Sequence, residues 1–460
     1  MIKYIRLIPK KMEIPHFRQF RLIFILTVFA LGLCFLLYKL DIFSWELLAS
    51  DSAFLERKLV AVDLPLVISK FNESDAFYAL SKTREGLIAD IQANSRELQL
   101  VLASNITIDD SIARAILVFL SCNITKFDKE LKSLLLSIGV MRSHQPPNIK
   151  TDLLVGTPGE CFDYPKSLGC VAEIRNAFSD SERCIVIEHI PLERRSGDPH
   201  PLLSYANYLD SMLVLSEFKY ASNYHQVMRT DLDTFLTPTF ANWTMPDGIS
   251  IVTGHGGYGS ENTNRHLSWL MRSKLGLVDG GLLGIGSTWI GDSHVLVSAA
   301  KLTISAMIWL HTQEFSEYEM NFAGTDGWPF WHWPVLLLYG GHIAVNQISV
   351  DRLIVTPSPQ NTENNNTVKL DHPTTATRLL GSDIIHLHSW HTDDMYYSKH
   401  KFQMGLYKDL NITEFLEMDT PLKYATTVAI SSDRLTNEEF SQILQKPESI
   451  RNGSWIKRVL

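Results

Sequence analysis

The sequence predicts an α/β protein: a mixed sheet with helices on both faces, preceded by a transmembrane helix and a helical stem. A chain of 460 residues with 45% hydrophobic and 20% charged residues is long and apolar enough to bury a large core. An uncharged apolar run lies near the N-terminus, and short apolar strands alternate with helical patterns after residue 146. Such alternation is typical of an α/β sheet covered on both faces.

The N-terminal part predicts one transmembrane signal anchor. Residues 22–38 are an uninterrupted uncharged run, just long enough to cross a bilayer as a helix. Basic residues precede the run and acidic residues follow it, so the positive-inside rule leaves residues 1–21 in the cytosol and the remaining chain in a lumen. A cleaved signal peptide is the alternative, but no small-x-small cleavage site follows closely. We therefore assign 22–40 to the anchor.

Sequons and cysteines agree with a luminal location. Four cysteines follow the apolar run, which allows two disulfides in three connectivities, or one disulfide and free thiols, in an oxidising compartment. These cysteines are Cys122, Cys161, Cys170 and Cys184. Seven Asn-x-Ser/Thr sequons are spread over the same part of the chain, at Asn72, Asn105, Asn123, Asn242, Asn365, Asn411 and Asn452. The formal net charge of -8, with no basic face beyond the N-terminus, argues against a nucleic-acid partner.

The chain after the anchor predicts three segments. Residues 41–145 read as a membrane-proximal helical stem, because apolar residues recur at three-and-four spacing in 74–102. The turn-rich "SHQPPN" at 143–148 predicts the domain boundary. An α/β domain at 146–430 and a C-terminal helical or tail segment at 431–460 follow.

The α/β domain is predicted to have a strand in 151–158 that ends in a glycine-containing loop, and another at 183–190. A third strand begins 248–259 and runs into a glycine-rich loop, and a helix is predicted at 201–218. A further strand, "YHQVMR", leads into Asp231-Leu232-Asp233. Ligands of such sheets bind beyond the carboxyl ends of the strands.

Asp231 and Asp233 stand at one of these strand ends, two residues apart. Desolvating one carboxylate costs several kcal/mol, so two of them need a compensating cation. A hard divalent cation with oxygen ligands, Mn2+ or Mg2+, suits this role and keeps open positions for phosphate oxygens. We predict both aspartates as metal ligands; an Asx-type turn with exposed carboxylates is the alternative.

A histidine cluster late in the chain predicts a further metal ligand. Strand alternation places His386 and His388 on one face, and His391 follows just beyond the strand end. Imidazole is an acceptable ligand for manganese or zinc. We take His388 as the first candidate and His391 as the second; surface or hydrogen-bonded core histidines are the alternative.

The aromatic stretch at 320–347 predicts a carbohydrate platform. Trp328, Trp331 and Trp333 are interrupted by prolines, so they cannot belong to a regular amphipathic helix. Flat apolar ring faces stack on sugar rings, and we predict these tryptophans as substrate-binding residues. Asp326 beside them is the candidate catalytic base. A core plug under a loop is the alternative.

Two more regions supply candidates. The glycines of 277–295 predict close approach of the backbone to a ligand, and Gly286 and Trp289 are candidate substrate-binding residues there. Arg229, next to the aspartates, is a candidate cofactor-binding residue.

The ordered motifs "VMRTDLDTFLTP", "VTGHGGYG", "GIGSTWIG", "GTDGWPFW" and "IIHLHSWHTDDMYYSKHKF" resemble a eukaryotic family of membrane proteins of unknown function. That family looks like type II secretory-pathway glycosyltransferases of the GT-A fold, and the resemblance covers about residues 152–407. In GT-A enzymes an Asp-x-Asp holds a divalent metal, usually manganese, on the diphosphate of a nucleotide sugar, a role that falls on Asp231 and Asp233. A C-terminal histidine often adds a ligand, and His388 or His391 would match.

The resemblance implies a GT-A-like catalytic domain at 146–430 and a luminal glycosyltransferase in the Golgi or ER membrane. Its donor would be a nucleotide sugar and its acceptor a glycan or glycoprotein. Two alternatives stay open. A paralogue that binds carbohydrate without turnover is one, because Ile285 stands where GT-A enzymes commonly carry Asn before the glycine. A haloacid-dehalogenase-like phosphatase is the other, although Phe235 stands where its motif usually has Thr or Val.

Overall fold

The computed structural model describes most of the chain after residue 82 and leaves gaps between the described segments. These segments are 83–104, 112–172, 183–191, 206–256, 261–314, 335–348, 350–356, 368–389, 398–407 and 409–446. The predicted cytosolic tail and transmembrane anchor, 1–40, lie outside them.

The described residues contain ten α-helices and ten strands. The helices are α1 (Arg84–Ala103), α2 (Ile124–Arg142), α3 (Asp163–Ser167), α4 (Ala206–Ser216), α5 (Glu261–Leu270), α6 (Ser293–Trp309), α7 (Leu336–Val345), α8 (Lys399–Gln403), α9 (Pro421–Arg434) and α10 (Asn437–Gln445). The strands are β1 (Ile112–Phe119), β2 (Ile149–Thr157), β3 (Cys184–Glu188), β4 (Gln226–Arg229), β5 (Thr234–Leu236), β6 (Ile251–His255), β7 (Ile285–Asp292), β8 (Leu353–Val355), β9 (His372–Pro373) and β10 (His386–His388).

The main sheet has seven strands in the order β3-β2-β1-β4-β7-β6-β8. β7 runs antiparallel to both of its neighbours, β4 and β6, and the other pairs are parallel. The strand order reverses between β1 and β4, because the chain leaves β1 for β2 on one side and later enters β4 on the other. The prediction of a mixed α/β sheet is confirmed.

Helices cover both faces of this sheet, as the alternation along β1 requires. Successive strand residues point to opposite faces. Ala115 and Leu117 belong to the core that includes residues of α1, α4, α6 and α7. Ile116 and Val118 belong to the second core, formed with α2, α9 and α10. The two buried layers together make a helix–sheet–helix sandwich.

The segment predicted as a helical stem differs from that prediction. α1 is helical as expected, but β1 lies in the middle of the main sheet between β2 and β4. The compact unit that holds the described residues spans Lys70–Leu460, so the expected boundary at 143–148 falls inside it. A fully buried strand such as "IARAILVF" shows no period-two pattern and resembles a buried helix segment in sequence.

A second sheet of three strands, in the order β5-β10-β9, supports the loop after β4. β10 pairs antiparallel with β5, so that His388 lies opposite Thr234. It pairs parallel with β9, so that His388 lies opposite Pro373. A late segment of the chain thereby contacts the end of β4.

One helix of the described residues is long and apolar enough to cross a membrane by length and composition. This helix, Ser293–Glu314, comprises α6 and the π-helical turn that follows it. Its most apolar window is 83% buried inside the protein, which is typical of a core helix.

Two disulfides settle the cysteine pairing. Cys122 pairs with Cys161, and Cys170 pairs with Cys184, with Cα–Cα distances of 5.6 and 4.4 Å. The second disulfide joins β3 to the segment after α3, at the edge of the main sheet.

A buried histidine in α7 predicts a pH dependence of folding stability. Burial lowers the pKa of His342 from 6.5 to about 4, although the carboxylate of Asp279 opposes the shift. As the pH falls below 6.5, the unfolded chain binds a proton that the folded chain does not accept until about pH 4. The contribution of His342 to the free energy of unfolding is therefore fully present above pH 6.5. It is lost as the pH falls towards 4, and the loss is up to about 3 kcal/mol.

We expect His342→Gln to lose this part of the pH dependence. Urea unfolding at a series of pH values measures the free energy of unfolding of both proteins. The difference between wild type and variant should shrink as the pH falls from 6.5 to 4. His144→Gln, at an exposed position, controls for the loss of a histidine. A difference that stays constant over this range would contradict the assignment.

Candidate metal site

The carboxyl end of β4 lies at the point where the strand order of the main sheet reverses. β4 neighbours β1, and the two strands are parallel. Open α/β sheets bind ligands in the crevice at such a reversal, beyond the carboxyl ends of the strands. Asp231 and Asp233 follow β4 directly, so the fold places two carboxylates at the expected crevice.

The spacing of the two aspartates follows from the packing of the residue between them. Leu232 is buried in the core shared with α2 and α9. The side chains of Asp231 and Asp233 are 27% and 11% exposed. The hydroxyl of Thr234 donates a 2.7 Å hydrogen bond to the carbonyl of Asp231 and closes the turn.

Arg229 holds the first aspartate. Its Nη2 donates to Asp231 Oδ1 at 2.8 Å, and the same nitrogen donates to the hydroxyl of Ser211. Its Nη1 donates to the carbonyl of Ser287 at 2.6 Å. Because this guanidinium is buried and both of its Nη nitrogens donate to protein groups, Arg229 positions Asp231, which differs from the predicted role of binding a cofactor directly.

His388 joins the aspartates through the pairing of β10 with β5. The amide of Ser389 donates a 3.0 Å hydrogen bond to the carbonyl of Asp233, next to the pair of His388 and Thr234. His388 Nε2 lies 3.5 Å from Asp233 Oδ1. Asp231, Asp233 and His388 each offer one ligand atom, and these three atoms lie within 4.8 Å of one another.

The chemistry of this donor set fits a divalent cation. Carboxylate oxygens are the ligands that Mg2+ and Mn2+ prefer, and imidazole is accepted by Mn2+. Three side-chain ligands leave coordination positions for a substrate, which is typical of a catalytic rather than a structural metal site. Asp231, Asp233 and His388 are therefore the residues that would hold the metal.

Asp371 orients the histidine from behind. Its Oδ1 lies 3.3 Å from His388 Nδ1 and accepts a 2.6 Å hydrogen bond from Thr288 Oγ1. A carboxylate on the far nitrogen of a metal-binding histidine fixes the ring and its tautomer. Nδ1 therefore faces Asp371, and Nε2 faces the aspartate pair.

Two glycines make room for Asp371. A Cβ on Gly254 would meet Asp371 Oδ2 at 1.8 Å, and a Cβ on Gly286 would meet it at 2.8 Å. Gly286 was predicted as a substrate-binding residue. The structure instead places it in β7 against the Asp371 carboxylate, where only a residue without a side chain fits.

His386, on the same strand as His388, has a structural role. Its Nδ1 accepts a hydrogen bond from the amide of Asp371, and its Nε2 lies 2.9 Å from Thr230 Oγ1. An amide is always a donor, so Nδ1 carries no proton and Nε2 donates to Thr230. Burial lowers the pKa of His386 to about 4, which keeps the ring neutral.

Lys399 and Glu130 complete the charged cluster. Lys399 Nζ donates to Asp233 Oδ2 at 2.8 Å and lies 3.3 Å from Glu130 Oε1. The side-chain amide of Gln403 also donates to Glu130 Oε1. Glu130 comes from α2 and Lys399 from the first turn of α8, so the cluster joins both elements to the loop after β4.

The charges in the cluster shift one another's pKa values. Burial opposes the ionised form of Asp233, but Lys399 and His388 outweigh it and hold the pKa of this carboxyl well below its usual range. Burial likewise disfavours charged His388, yet Asp233 and Asp371 raise its pKa well above the ordinary value. Burial, helped by Asp233, raises the pKa of Glu130 to about 7.

The remaining predicted site residues divide into two groups. Trp289 is 1% exposed, and its indole nitrogen donates to the carbonyl of Gly286, so it is a core residue and not a substrate platform. The other group lies outside the described residues and comprises Asp326, Trp328, Trp331, Trp333 and His391.

Sequence reasoning missed three members of the cluster. Asp371 has a positive φ of 52°, and no sequence motif predicts either this conformation or its contact with His388. Lys399 lies in the histidine-rich stretch 383–402, but lysine is not a typical metal ligand, so the motif does not predict its role. Glu130 lies in the segment predicted as a stem. These three residues are brought together by tertiary contacts, which their spacing in the sequence does not show.

The fold and the carboxylate–imidazole cluster define a mixed α/β protein with a candidate divalent-cation site at the carboxyl edge of its sheet. Residues 109–458 match the sequence model of a family described as "Domain of unknown function (DUF7164)". The chain belongs to this family. No curated protein matches it.

Three of the solved structures that resemble the chain are described as glycosyltransferases. The bifunctional enzyme WbbM in its apo form is 11% identical, with a TM-score of 0.32, and the match covers 56% of this chain and 40% of that one. The galactosyltransferase LgtC, in complex with donor and acceptor sugar analogues, is 13% identical, with a TM-score of 0.33, covering 66% and 99%. The mannosyltransferase PcManGT from Pyrobaculum calidifontis, in complex with GDP-Man and Mn2+, is 9% identical, with a TM-score of 0.26, covering 82% and 86%.

We expect Asp371→Asn to weaken metal binding without removing a ligand. The substitution keeps the shape of the side chain but removes the charge that orients His388, which typically costs about 10–100-fold in metal affinity. Calorimetric titration with Mn2+ alone measures the affinity, and a melting curve without metal reports whether the fold is retained.

Asp383→Asn is the matched control for this experiment. Asp383 forms an ion pair with Lys369 at 2.7 Å, outside the three-ligand cluster, and the same charge is lost. An Mn2+ affinity that falls equally in both variants would show that Asp371 acts only through overall charge.

Proposed function

We propose that this protein is a metal-dependent glycosyltransferase that moves a sugar from a nucleotide-sugar donor to a glycan or glycoprotein acceptor. One observation carries the proposal: Asp231, Asp233 and His388 converge within 4.8 Å where the strand order of the sheet reverses. That crevice is where α/β sheets bind nucleotides and related ligands. The resemblance of the ordered sequence motifs to glycosyltransferase-like proteins supports the same reading.

The residues of the chain have separable roles in this proposal. Asp231, Asp233 and His388 hold Mn2+, or Mg2+, with Asp231 positioned by Arg229 and His388 by Asp371. The cation, when bound, would neutralise negative charge on the diphosphate leaving group. The partly buried ligand set keeps the carboxylates in place before the donor arrives, so little reorganisation is needed during transfer.

The acceptor side of the proposal rests on sequence alone. Trp328, Trp331 and Trp333 would hold the acceptor sugar by stacking, and Asp326 would accept a proton from the acceptor hydroxyl.

We propose a type II membrane protein of the Golgi or ER, with the catalytic domain in the lumen. The apolar run near the N-terminus and the seven sequons support this location. The two disulfides add support, because such bonds persist in oxidising compartments and are rare in the cytosol.

A panel of nucleotide sugars tests the function. We expect one donor to bind in the presence of Mn2+ and to release its nucleoside diphosphate in the presence of glycan or glycoprotein acceptors. Asp233→Asn should reduce this release by about 100-fold or more, because it removes a ligand charge from the metal. Asp383→Asn, outside the three-ligand cluster, is the control and should leave release unchanged.

Two other outcomes would replace the proposal. Donor or glycan binding without release of nucleoside diphosphate would identify a carbohydrate-binding protein. Phosphatase activity that disappears in Asp231→Asn, with no binding of any nucleotide sugar, would identify a phosphatase with a nucleophilic aspartate.

A further inference from the structure

Lys399 contacts one oxygen of the Asp233 carboxylate, which the proposed metal would need as a ligand. Its ammonium lies 2.8 Å from Asp233 Oδ2 and 3.3 Å from Glu130 Oε1, with a side chain that is only 15% exposed. The other oxygen of Asp233 faces His388 at 3.5 Å. Both oxygens of Asp233 therefore have a cationic neighbour within the protein.

The ammonium of Lys399 compensates negative charge that clustered carboxylates would otherwise carry unpaired when no metal is bound. Two partly buried carboxylates close together are unfavourable unless a positive charge compensates them. A lysine ammonium is a compact point charge on a flexible four-carbon stem, so it can supply the charge and then move a short distance. Lys399 thus stabilises Asp233 in the absence of a divalent cation and competes with that cation for the same carboxylate.

Glu130 offers the ammonium a second partner. Glu130 is buried on α2, within 3.3 Å of Lys399 Nζ, and Gln403 holds the carboxylate at Oε1. Glu130 is not among the three grouped ligands, so it can retain Lys399 when Asp233 is engaged elsewhere. To change partners, the ammonium needs only to shorten its contact with Glu130 and lengthen its contact with Asp233.

We propose that Lys399 is a displaceable counter-cation: it occupies Asp233 when no divalent cation is bound and transfers to Glu130 when one binds. Glu130 is then a positioning residue that acts on the metal site through Lys399. The inference rests on the proposed metal site and adds a pair of residues that sets its affinity. An equilibrium between a closed and a metal-competent arrangement lowers apparent affinity by the competent fraction.

The proposal predicts opposite effects of two substitutions on Mn2+ affinity. Lys399→Met keeps the length of the side chain and removes the competitor, so we expect affinity to rise by about tenfold or more. Glu130→Gln removes the alternative partner and confines the ammonium to Asp233, so affinity should fall by a similar factor. A purely structural ion-pair network would instead lose affinity in both variants.

A double variant separates a local mechanism from a general change of charge. If Glu130 acts through Lys399, Glu130→Gln made in the Lys399→Met background should change Mn2+ affinity by less than about twofold. If the two charges act independently on the site, their effects should add. Lys399→Arg retains the cation and should not increase affinity.

The experiment is calorimetric titration of the purified full chain with MnCl2 alone, at a pH above 7 so that Glu130, whose pKa is about 7, is ionised. Lys423→Met and Glu417→Gln are the controls, because this ion pair makes the same charge changes outside the cluster. Melting curves without metal confirm folding, and Lys399→Gln replaces Lys399→Met if the latter does not fold.

The outcomes separate this inference from the proposed function. Mn2+ binding by wild type that is lost in Asp233→Asn, with no gain in Lys399→Met, would overturn the counter-cation and leave the metal site standing. No Mn2+ binding in either wild type or Lys399→Met would overturn both. Tighter binding in Lys399→Met, with an effect of Glu130→Gln that disappears in the double variant, is the result we expect.

Discussion

The pairing of β10 with β5 is the contact on which the candidate site depends. It places His388 opposite Thr234, one residue beyond Asp233, and the Ser389 amide donates to the Asp233 carbonyl at 3.0 Å. Side chains alternate along a strand, so a slip of one residue would put Leu387 in the position of His388. The short sheet therefore decides whether His388, from a late part of the chain, reaches the two aspartates that follow β4.

Charge balance is the second constraint on the site. Each buried or partly buried carboxylate needs a cation close by, since an uncompensated one would cost several kcal/mol. The carboxylates are Asp231, Asp233, Asp371 and Glu130, and the cations are Arg229, Lys399 and protonated His388. Four negative charges face three positive ones. Burial, helped by the charge of Asp233, raises the pKa of Glu130 to about 7, and an added divalent cation would offset the negative charge of the cluster.

The sequence predicted those site residues that belong to short-range patterns better than those that do not. An acidic pair after an apolar strand and histidines alternating on a later strand are short-range patterns, and they led to Asp231, Asp233 and His388. Asp371 and Lys399 have no such pattern, because their roles arise from tertiary contacts. The alternating strands and helices likewise predicted the α/β fold. β1 was missed because a strand buried on both faces shows no period-two pattern.

The structure also bears on whether the acidic pair is more than a polar turn. An Asx-type turn predicts exposed carboxylates that bond only to the neighbouring backbone. Asp233 is 11% exposed and contacts Lys399 and His388, which come from two different elements. Leu232 between the aspartates is buried, while the side chains of both aspartates stay partly exposed. A turn that served only to reverse the chain would need neither Lys399 nor His388 beside Asp233. The metal interpretation explains both neighbours: His388 is a further ligand, and Lys399 is the counter-cation of the carboxylate.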